Sequence, residues 1–270
     1  MAVNSKVVKT TAKTALEGNM LRAIFSSCIL IFSFFICYYV SFLVQIISGN
    51  IIAKIFNLSL ILFLIIPLFL GTLRFFWRLL FSVNDNPVTV FYYFTDKKLY
   101  LKTIKLLFAI FIKALPIAAL LFLPTFAVWI ISQGTVFELI DMSIPSWTAS
   151  LFNIYIFLRS LSIVILTLFL IKFYISPILF VADENMDVGE AVHISSIISR
   201  KSSIDFIYLL FSFLGIIVIS VFVIPLVITL PYLLTSLCVH IRFVIAEYNN
   251  HIEKSLNNAF PTFEAGAIDE

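Results

Sequence analysis

The residues of this chain that could do chemistry are few, and the most unusual are basic side chains inside long apolar runs. Lys113 lies within the run from about 104 to 131, and Arg159 lies within the run from about 151 to 181. A charge at the centre of a bilayer costs about 2.5–3.5 kcal/mol on insertion scales. Each side chain could therefore snorkel to a headgroup region, or line a polar cavity and contact an anion or lipid headgroup there.

Arg74 and Arg78 lie one helical turn apart at the end of the apolar run from about 58 to 80. On one helix face they could bind a phospholipid phosphate, or they could extend into solvent at the membrane surface. Trp77 lies between them, and aromatic residues are enriched in the headgroup region. We expect this end of the helix to face the cytoplasm.

The polar segment from Asp187 to Arg200 carries a helix-start signal. Asp187-x-x-Glu190 has capping-box spacing, with Asp in place of Ser or Thr. One predicted face consists of Val188, Ala191, Val192, Ser195 and Ile198, whereas Glu190, His193 and Arg200 point elsewhere. Such a helix could pack on the inner leaflet or the bundle, or it could dock against a cytoplasmic partner through Asp187, Glu190, His193 and Arg200. The letters GEAV are similar to the EAA loop of importer permeases.

No catalytic or phosphate-binding motif is present in the sequence: GxxxxGK[ST], GxGxxG, HExxH and GxSxG are all absent. The histidines, His193, His240 and His251, have no partners at metal-ligand spacing. For His240 the alternatives are a ligand or proton-relay role and an interhelical hydrogen bond. The sequence predicts no catalytic, cofactor-binding or metal-binding residue, and therefore no enzymatic activity.

The composition places these residues in a membrane protein. Of 270 residues 61% are hydrophobic and 12% are charged, whereas soluble domains are about 25% charged. The net charge of +3 is small and predicts no nucleic-acid partner. Cys28, Cys37 and Cys238 lie in apolar runs without CxxC spacing, which favours small apolar core residues over disulfides.

Apolar runs predict an all-α bundle of about six spans, in a single transmembrane domain over residues 1–248. The spans are expected near 23–47, 58–80, 104–131, 151–181, 204–224 and 231–248, with a polar, mobile cytoplasmic tail over 249–270. Residues 204–248 could form a hairpin that turns between Pro225 and Pro231, or one kinked helix. Residues 1–21 predict an interfacial helix with an apolar stripe of Ala12, Ala15, Leu16, Met20 and Ile24.

Basic residues predict the orientation in the membrane. With the N-terminus inside, the outer face keeps only Lys54, and the loop over 132–150 carries Glu138 and Asp141. The inner face collects Lys6, Lys9, Lys13, Arg22, Arg74, Arg78, Lys97, Lys98, Lys102, Lys105, Lys172, Arg200, Lys201, Arg242 and Lys254. We therefore expect a multi-pass protein of the plasma membrane with both termini in the cytoplasm.

A second surface helix is expected before the third span. Asn84-Asp85-Asn86-Pro87 combines an Asn cap with Pro at the first helical position, and an aromatic and Lys-rich segment follows to about residue 102. Pro67 and Pro177 each precede such a capped segment, which is either a weak internal repeat or ordinary helix punctuation.

Several short segments resemble an uncharacterised family of six-span bacterial membrane proteins. They are AKTALEGNMLRAI, Pro67 to Gly71, Asp183, Glu190-Ala191, Ser195, Ser212 to Gly215 and Pro231-Tyr232. The chain departs from the family pattern at Met20, where an aromatic residue is common, after Gly215, where a Trp is usual, and over 225–230, which lack glycine. The resemblance implies the layout of six spans and no particular activity.

Two functions fit these features. A transporter or permease-like subunit would use proline-kinked spans, Lys113, Arg159 and the capped inner-face helices. A non-transporting accessory or envelope-homeostasis protein would instead bind lipids or protein partners in the membrane or cytoplasm.

Overall fold

The structure is a computed structural model that describes residues 5–259 except 82, 84, 133–147, 184, 221 and 222. Within these residues the chain is helical and contains no strand, as the all-α prediction expects. The α-helices are α1 Ser5–Leu16, α2 Met20–Ser48, α3 Asn50–Leu60, α4 Ile66–Leu79, α5 Lys97–Ser132, α6 Thr148–Leu170, α7 Ser176–Ala182, α8 Val188–Ser212, α9 Leu214–Ile219 and α10 Val223–Ala259. A π-helical turn, Ile61–Ile65, joins α3 to α4, and 3₁₀ helices occupy Pro87–Phe94 and Ile171–Phe173.

Five described helical segments are long and apolar enough to cross a membrane, which is compatible with an integral membrane protein. They are Met20–Ser48, Asn50–Leu79, Lys97–Ile131, Ser150–Ala182 and Pro225–Asn250. The first four overlap the first four predicted spans, and the last contains the predicted sixth. The predicted span over 204–224 is not among them, so the count of six crossings stays a prediction.

After residue 187 the helices begin and end at other residues than the sequence predicts. α8 runs without a break to Ser212, so the predicted surface helix and the start of the fifth span are one helix. α10 begins at Val223, before Pro225, and Pro231 lies inside it. Pro225 is in the first turn of α10, where the missing proline N–H is not needed for a helical hydrogen bond. α10 also continues to Ala259, so residues 249–259 of the predicted mobile tail are helical.

The predicted surface segment before the third span is divided between two helices, the 3₁₀ helix Pro87–Phe94 and the first turns of α5. Asn86 caps the first of them by accepting a hydrogen bond from the backbone N–H of Val88 at 3.2 Å. Asp96 then accepts one from the backbone N–H of Lys98 at 2.9 Å, at the start of α5. The chain is interrupted at Asp96 because this second side chain caps a new helix. Asn84, and Glu138 and Asp141 of the predicted outer loop, lie outside the described residues.

α1 packs against the rest of the protein through its apolar face. Val8 and Ala12 are fully buried in a cluster with Leu209 of α8 and Val239 of α10. The predicted apolar stripe stops at Leu16, because the chain turns at residues 17–19 before α2 begins. One face of the predicted interfacial helix is therefore in contact with protein.

The largest buried cluster joins the helix ends that the sequence assigns to the cytoplasmic face. Its members include Phe76 of α4, Ile178 of α7, Val192 of α8 and Ile241 of α10. By contrast, only 11% of the most apolar stretch of α5 and 6% of that of Ser150–Ala182 are buried. The tightly packed end therefore fixes the positions of the polar side chains described next.

Candidate functional site

A cluster of three polar side chains, two buried and one half-buried, lies where α8, α10 and the turn after Ile171–Phe173 meet. The hydroxyl of Tyr174 lies 3.0 Å from Oγ of Ser202 and 3.2 Å from Nε2 of His240. Ser202 is on α8 and His240 is on α10, so Tyr174 links these two helices. The two residues are 38 positions apart in the chain. We call these three residues the polar cluster.

The spacing of side chains on α8 explains why the polar cluster forms. Ser195 and Ser199 both donate hydrogen bonds to the carbonyl oxygen of Lys172, at 3.2 and 2.8 Å. Ser202 and Phe206 continue the same helix face, and the ring of Phe206 stacks on that of Tyr174 with centroids 4.1 Å apart. The face of α8 thus holds the 171–174 turn by hydroxyls at one end and by an aromatic ring at the other.

The chemistry of the polar cluster centres on His240. Its side chain is 1% exposed, and within the described residues its Nδ1 atom has no hydrogen-bond partner. Asp205, half-buried on α8, is near enough to act electrostatically on both His240 and Tyr174. Burial disfavours the charged form of the imidazole, and the nearby carboxylate opposes that effect, so the neutral ring is available for hydrogen bonding at both nitrogens.

The described residues do not gather ligands for a metal ion. No group of three or more His, Cys, Asp or Glu side chains with suitable geometry occurs among them. The polar cluster supplies one imidazole and two hydroxyls, which suit hydrogen bonding and proton transfer better than metal coordination.

Arg74 and Arg78 differ in their surroundings although they are one turn apart. Arg74 is 7% exposed, and its guanidinium carbon lies 3.5 Å from the centre of the Tyr92 ring. Nε of Arg78 forms an ion pair with Oδ2 of Asp85 at 2.9 Å. Contacts with protein groups therefore occupy at least part of both side chains, and their predicted contact with lipid phosphate stays a prediction.

Lys113 and Arg159 are both exposed on the surface of their helices. Nζ of Lys113 lies 6.0 Å from the centre of the Phe173 ring. A guanidinium nitrogen of Arg159 donates a hydrogen bond to the hydroxyl of Tyr155 at 3.2 Å, one turn earlier on the same helix. The structure brings neither side chain to the polar cluster.

The predicted docking helix begins where its spacing predicts. Asp187 is the N-cap of α8 and accepts a hydrogen bond from the backbone N–H of Gly189 at 3.0 Å. The predicted apolar face, with Val188, Ala191, Val192, Ser195 and Ile198, is buried. Glu190, His193 and Arg200 are exposed, so they are accessible to a partner, although no partner is identified.

The Nε2 atom of His240 contacts the hydroxyl of Tyr174, which lies in the 171–174 turn and not on a helix. Sequence reasoning identified His240 and left open a ligand or proton-relay role and an interhelical hydrogen bond for it. It missed Tyr174 and Ser202, because a Tyr and a Ser in apolar runs are common and carry no motif. The signal available was the spacing of Ser195, Ser199, Ser202 and Phe206, which places hydroxyls and a ring on one face of a helix.

No protein-family model, curated protein or solved structure matches this chain. The resemblance to the six-span bacterial family therefore stays an expectation. The described part of the chain is helical, without strands, and includes five apolar segments compatible with a membrane.

Proposed function

We propose that this chain is a multi-pass protein of the plasma membrane, with both termini in the cytoplasm, that acts as a proton-linked transporter or permease-like subunit. The polar cluster carries this proposal, because ionisable and hydrogen-bonding groups inside apolar helices are expensive and commonly belong to ion or substrate pathways. His240 would be the proton acceptor, and Asp205 would offset part of the free-energy cost that burial places on the charged ring.

Protonation of His240 has a direct consequence for packing. Nε2 of the neutral ring can accept a hydrogen bond from the hydroxyl of Tyr174, whereas the charged ring donates from both nitrogens. Tyr174 must then reverse its role toward Ser202 or move away. Because these three residues link α8, α10 and the 171–174 turn, a change of charge would alter how those elements pack. Pro231 lies inside α10 nine residues before His240 and offers a site where the helix can bend.

Proton uptake into liposomes tests this function. Purified protein is reconstituted with a trapped pH-sensitive dye, and a pH gradient is imposed in the presence of a bacterial metabolite extract. We expect uptake above that of empty liposomes, its loss in His240→Gln, which cannot titrate, and no change in His193→Gln, an exposed histidine on α8. Equal uptake by the wild type and empty liposomes, or full uptake by His240→Gln, would contradict the proposal.

A second candidate is a non-transporting accessory or envelope-homeostasis protein, favoured by the exposure of the hairpin formed by α5 and α6. The two helices contact each other, and Oγ of Ser162 donates a hydrogen bond to the carbonyl oxygen of Leu121 at 3.1 Å. Outward-facing Leu120 and Phe157 are 74% and 66% exposed, which suits contact with lipids or with helices of another protein.

Site-specific photocrosslinking in cells tests the second candidate. A photoreactive amino acid at Leu120 or Phe157 should yield a discrete crosslinked protein, and the same group at Leu106, which is 2% exposed in the core, should not. Crosslinks to lipid alone at both exposed positions would remove the protein-partner form of this function. Proton uptake that depends on His240 would favour the first candidate over the second.

A further inference from the structure

A cavity of about 480 Å³ lies between the corner that joins α1 to α2 and the surface of α9 and α10. Its walls are mostly apolar and include Met20, Ile216, Ile228 and Tyr232. This volume is within the range of about 300–1,000 Å³ that is typical of small-molecule sites.

The backbone at the corner turns at a glycine, and the space beside this glycine is unfilled. Gly18 has a φ of 81°, in the left-handed region that favours glycine, and lies between the end of α1 and the start of α2. An added side chain at Gly18 would meet no atom within 4 Å, so the corner is not filled by neighbouring groups.

Two side chains of opposite charge line the same cavity. Lys13 and Glu17 are one turn apart, and both are exposed. Among the described residues, neither the Lys13 ammonium nor the Glu17 carboxylate forms an ion pair or a side-chain hydrogen bond. A cation and an anion are therefore both available beside an apolar slot.

The apolar wall belongs to segments compatible with a membrane. Ile228 and Tyr232 lie in Pro225–Asn250, and Met20 begins Met20–Ser48. The charged rim consists of Lys13 on α1 and Glu17 in the turn that follows, and the basic residues of α1 predict the inner face of the membrane. A ligand that fits must therefore carry a hydrocarbon part and a polar part with both charges, and be supplied by the bilayer.

We propose that this cavity binds one phospholipid with a zwitterionic aminoethyl-phosphate headgroup, such as phosphatidylethanolamine. One acyl chain occupies the slot beside Ile228, the lipid phosphate contacts the Lys13 ammonium, and the lipid amine contacts the Glu17 carboxylate. The inference rests on the membrane setting and on the lipid-binding form of the second candidate function, whose ligand class it names.

Glu17 distinguishes this lipid from an anionic one. A lysine near a membrane surface attracts any phosphate, so Lys13 alone would favour phosphatidylglycerol as much as phosphatidylethanolamine. The carboxylate of Glu17 adds attraction for the amine and none for a glycerol headgroup, whose net negative charge it repels. Removing the charge of Glu17 should therefore change which lipid is preferred, whereas removing that of Lys13 should weaken the binding of both.

Native mass spectrometry of the purified full-length protein tests the proposal. The protein is extracted from vesicles that contain equal amounts of phosphatidylethanolamine and phosphatidylglycerol, and the lipid that stays bound is identified and counted. We expect one retained phosphatidylethanolamine, a loss of about fivefold in Lys13→Gln, which corresponds to one lysine near a membrane surface, and no preference between the two lipids in Glu17→Gln.

Filling the slot gives an independent variant. Ile228→Trp should abolish retention while leaving the melting temperature close to that of the wild type, because Ile228 is 53% exposed. Matched controls are Ile204→Trp on α8, 66% exposed and outside the cavity, Lys98→Gln on α5 and Glu190→Gln on α8. These three should retain the lipid as the wild type does.

The proposal is overturned if Ile228→Trp retains as much lipid as Ile204→Trp, or if the wild type retains both lipids equally. Neither result would affect proton uptake or crosslinking at the α5–α6 hairpin, so failure of the lipid site is distinguishable from failure of the functions proposed above.

Discussion

The hydroxyl of Tyr100 donates a hydrogen bond of 2.9 Å to the carbonyl oxygen of Phe63. In a regular α-helix this carbonyl would accept a hydrogen bond from the residue four positions later, which is Pro67 and has no N–H. The π-helical turn Ile61–Ile65 lies at the same place. A side chain from α5 therefore satisfies the carbonyl that the proline leaves without its usual partner, and it connects α5 to the π-helical turn.

Replacing Tyr100 by Phe should lower the stability of the protein, because it removes the hydrogen bond between α5 and the π-helical turn Ile61–Ile65. The ring stays and the hydroxyl is lost, so we expect a decrease of about 0.6–1 kcal/mol in the free energy of unfolding. Thermal unfolding in detergent measures the change. Tyr208→Phe, at an exposed tyrosine on α8, is the control and should have no effect. Equal melting temperatures for Tyr100→Phe and the wild type would show that the hydrogen bond from Tyr100 to Phe63 does not stabilise the protein.

Replacing Gly71 by Ala should destabilise the packing of the 3₁₀ helix Pro87–Phe94 on α4. A Cβ at Gly71 would overlap the carbonyl group of Val90, which is backbone and cannot rotate away. We expect a cost of about 1–3 kcal/mol, seen as a lower melting temperature and a lower yield of folded protein. Gly215→Ala is the matched control, because a Cβ there meets no atom within 4 Å. Equal stability of the two variants would show that Gly71 and the backbone of Val90 are not in close contact.

The sequence predicted the elements whose signals are local. Asp187 and Asn86 cap helices because their side chains accept hydrogen bonds from a backbone N–H two residues later. The apolar face of α8 follows from the spacing of Val188, Val192 and Ile198. The break between the 3₁₀ helix Pro87–Phe94 and α5 was missed because Asp96 caps α5, and this cap competes with a continuous helix.

Interactions between distant residues were not predictable in this way. The contact of Tyr174 with Ser202 and His240 depends on how α8 and α10 pack, and no local pattern encodes that packing. The same is true of the contact between Tyr100 and Phe63. The position of Pro67 does predict that the carbonyl of Phe63 lacks its usual helical hydrogen bond. The burial of Arg74 against Tyr92 was unexpected because an arginine near a span end more often reaches water.

The hydrogen bonds of the polar cluster should be coupled. Tyr174→Phe and Ser202→Ala each remove one side of the same contact, so their effects on the free energy of unfolding should not add. We expect a coupling energy of about 0.6 kcal/mol, the average for side-chain hydrogen bonds between membrane helices. Reversible unfolding of the wild type, both single variants and the double variant gives this value. Additive effects would mean that Tyr174 and Ser202 do not interact.

The account depends most on the topology, because six crossings place both termini and the start of α8 on the cytoplasmic side, whereas five crossings separate the termini. Labelling of single cysteines in intact and permeabilised cells distinguishes the two. Cys28, Cys37 and Cys238 are first replaced, and single cysteines are introduced at Ser5, Lys97, Glu138, Asn185 and Asp269.

Membrane-impermeant maleimide on these five variants is the most direct measurement. The account predicts that the cysteine at position 138 reacts in intact cells, and that those at positions 5, 97, 185 and 269 react only after permeabilisation. Reaction at position 5 or 269 in intact cells would contradict the account, because the termini would then lie on opposite sides or both outside.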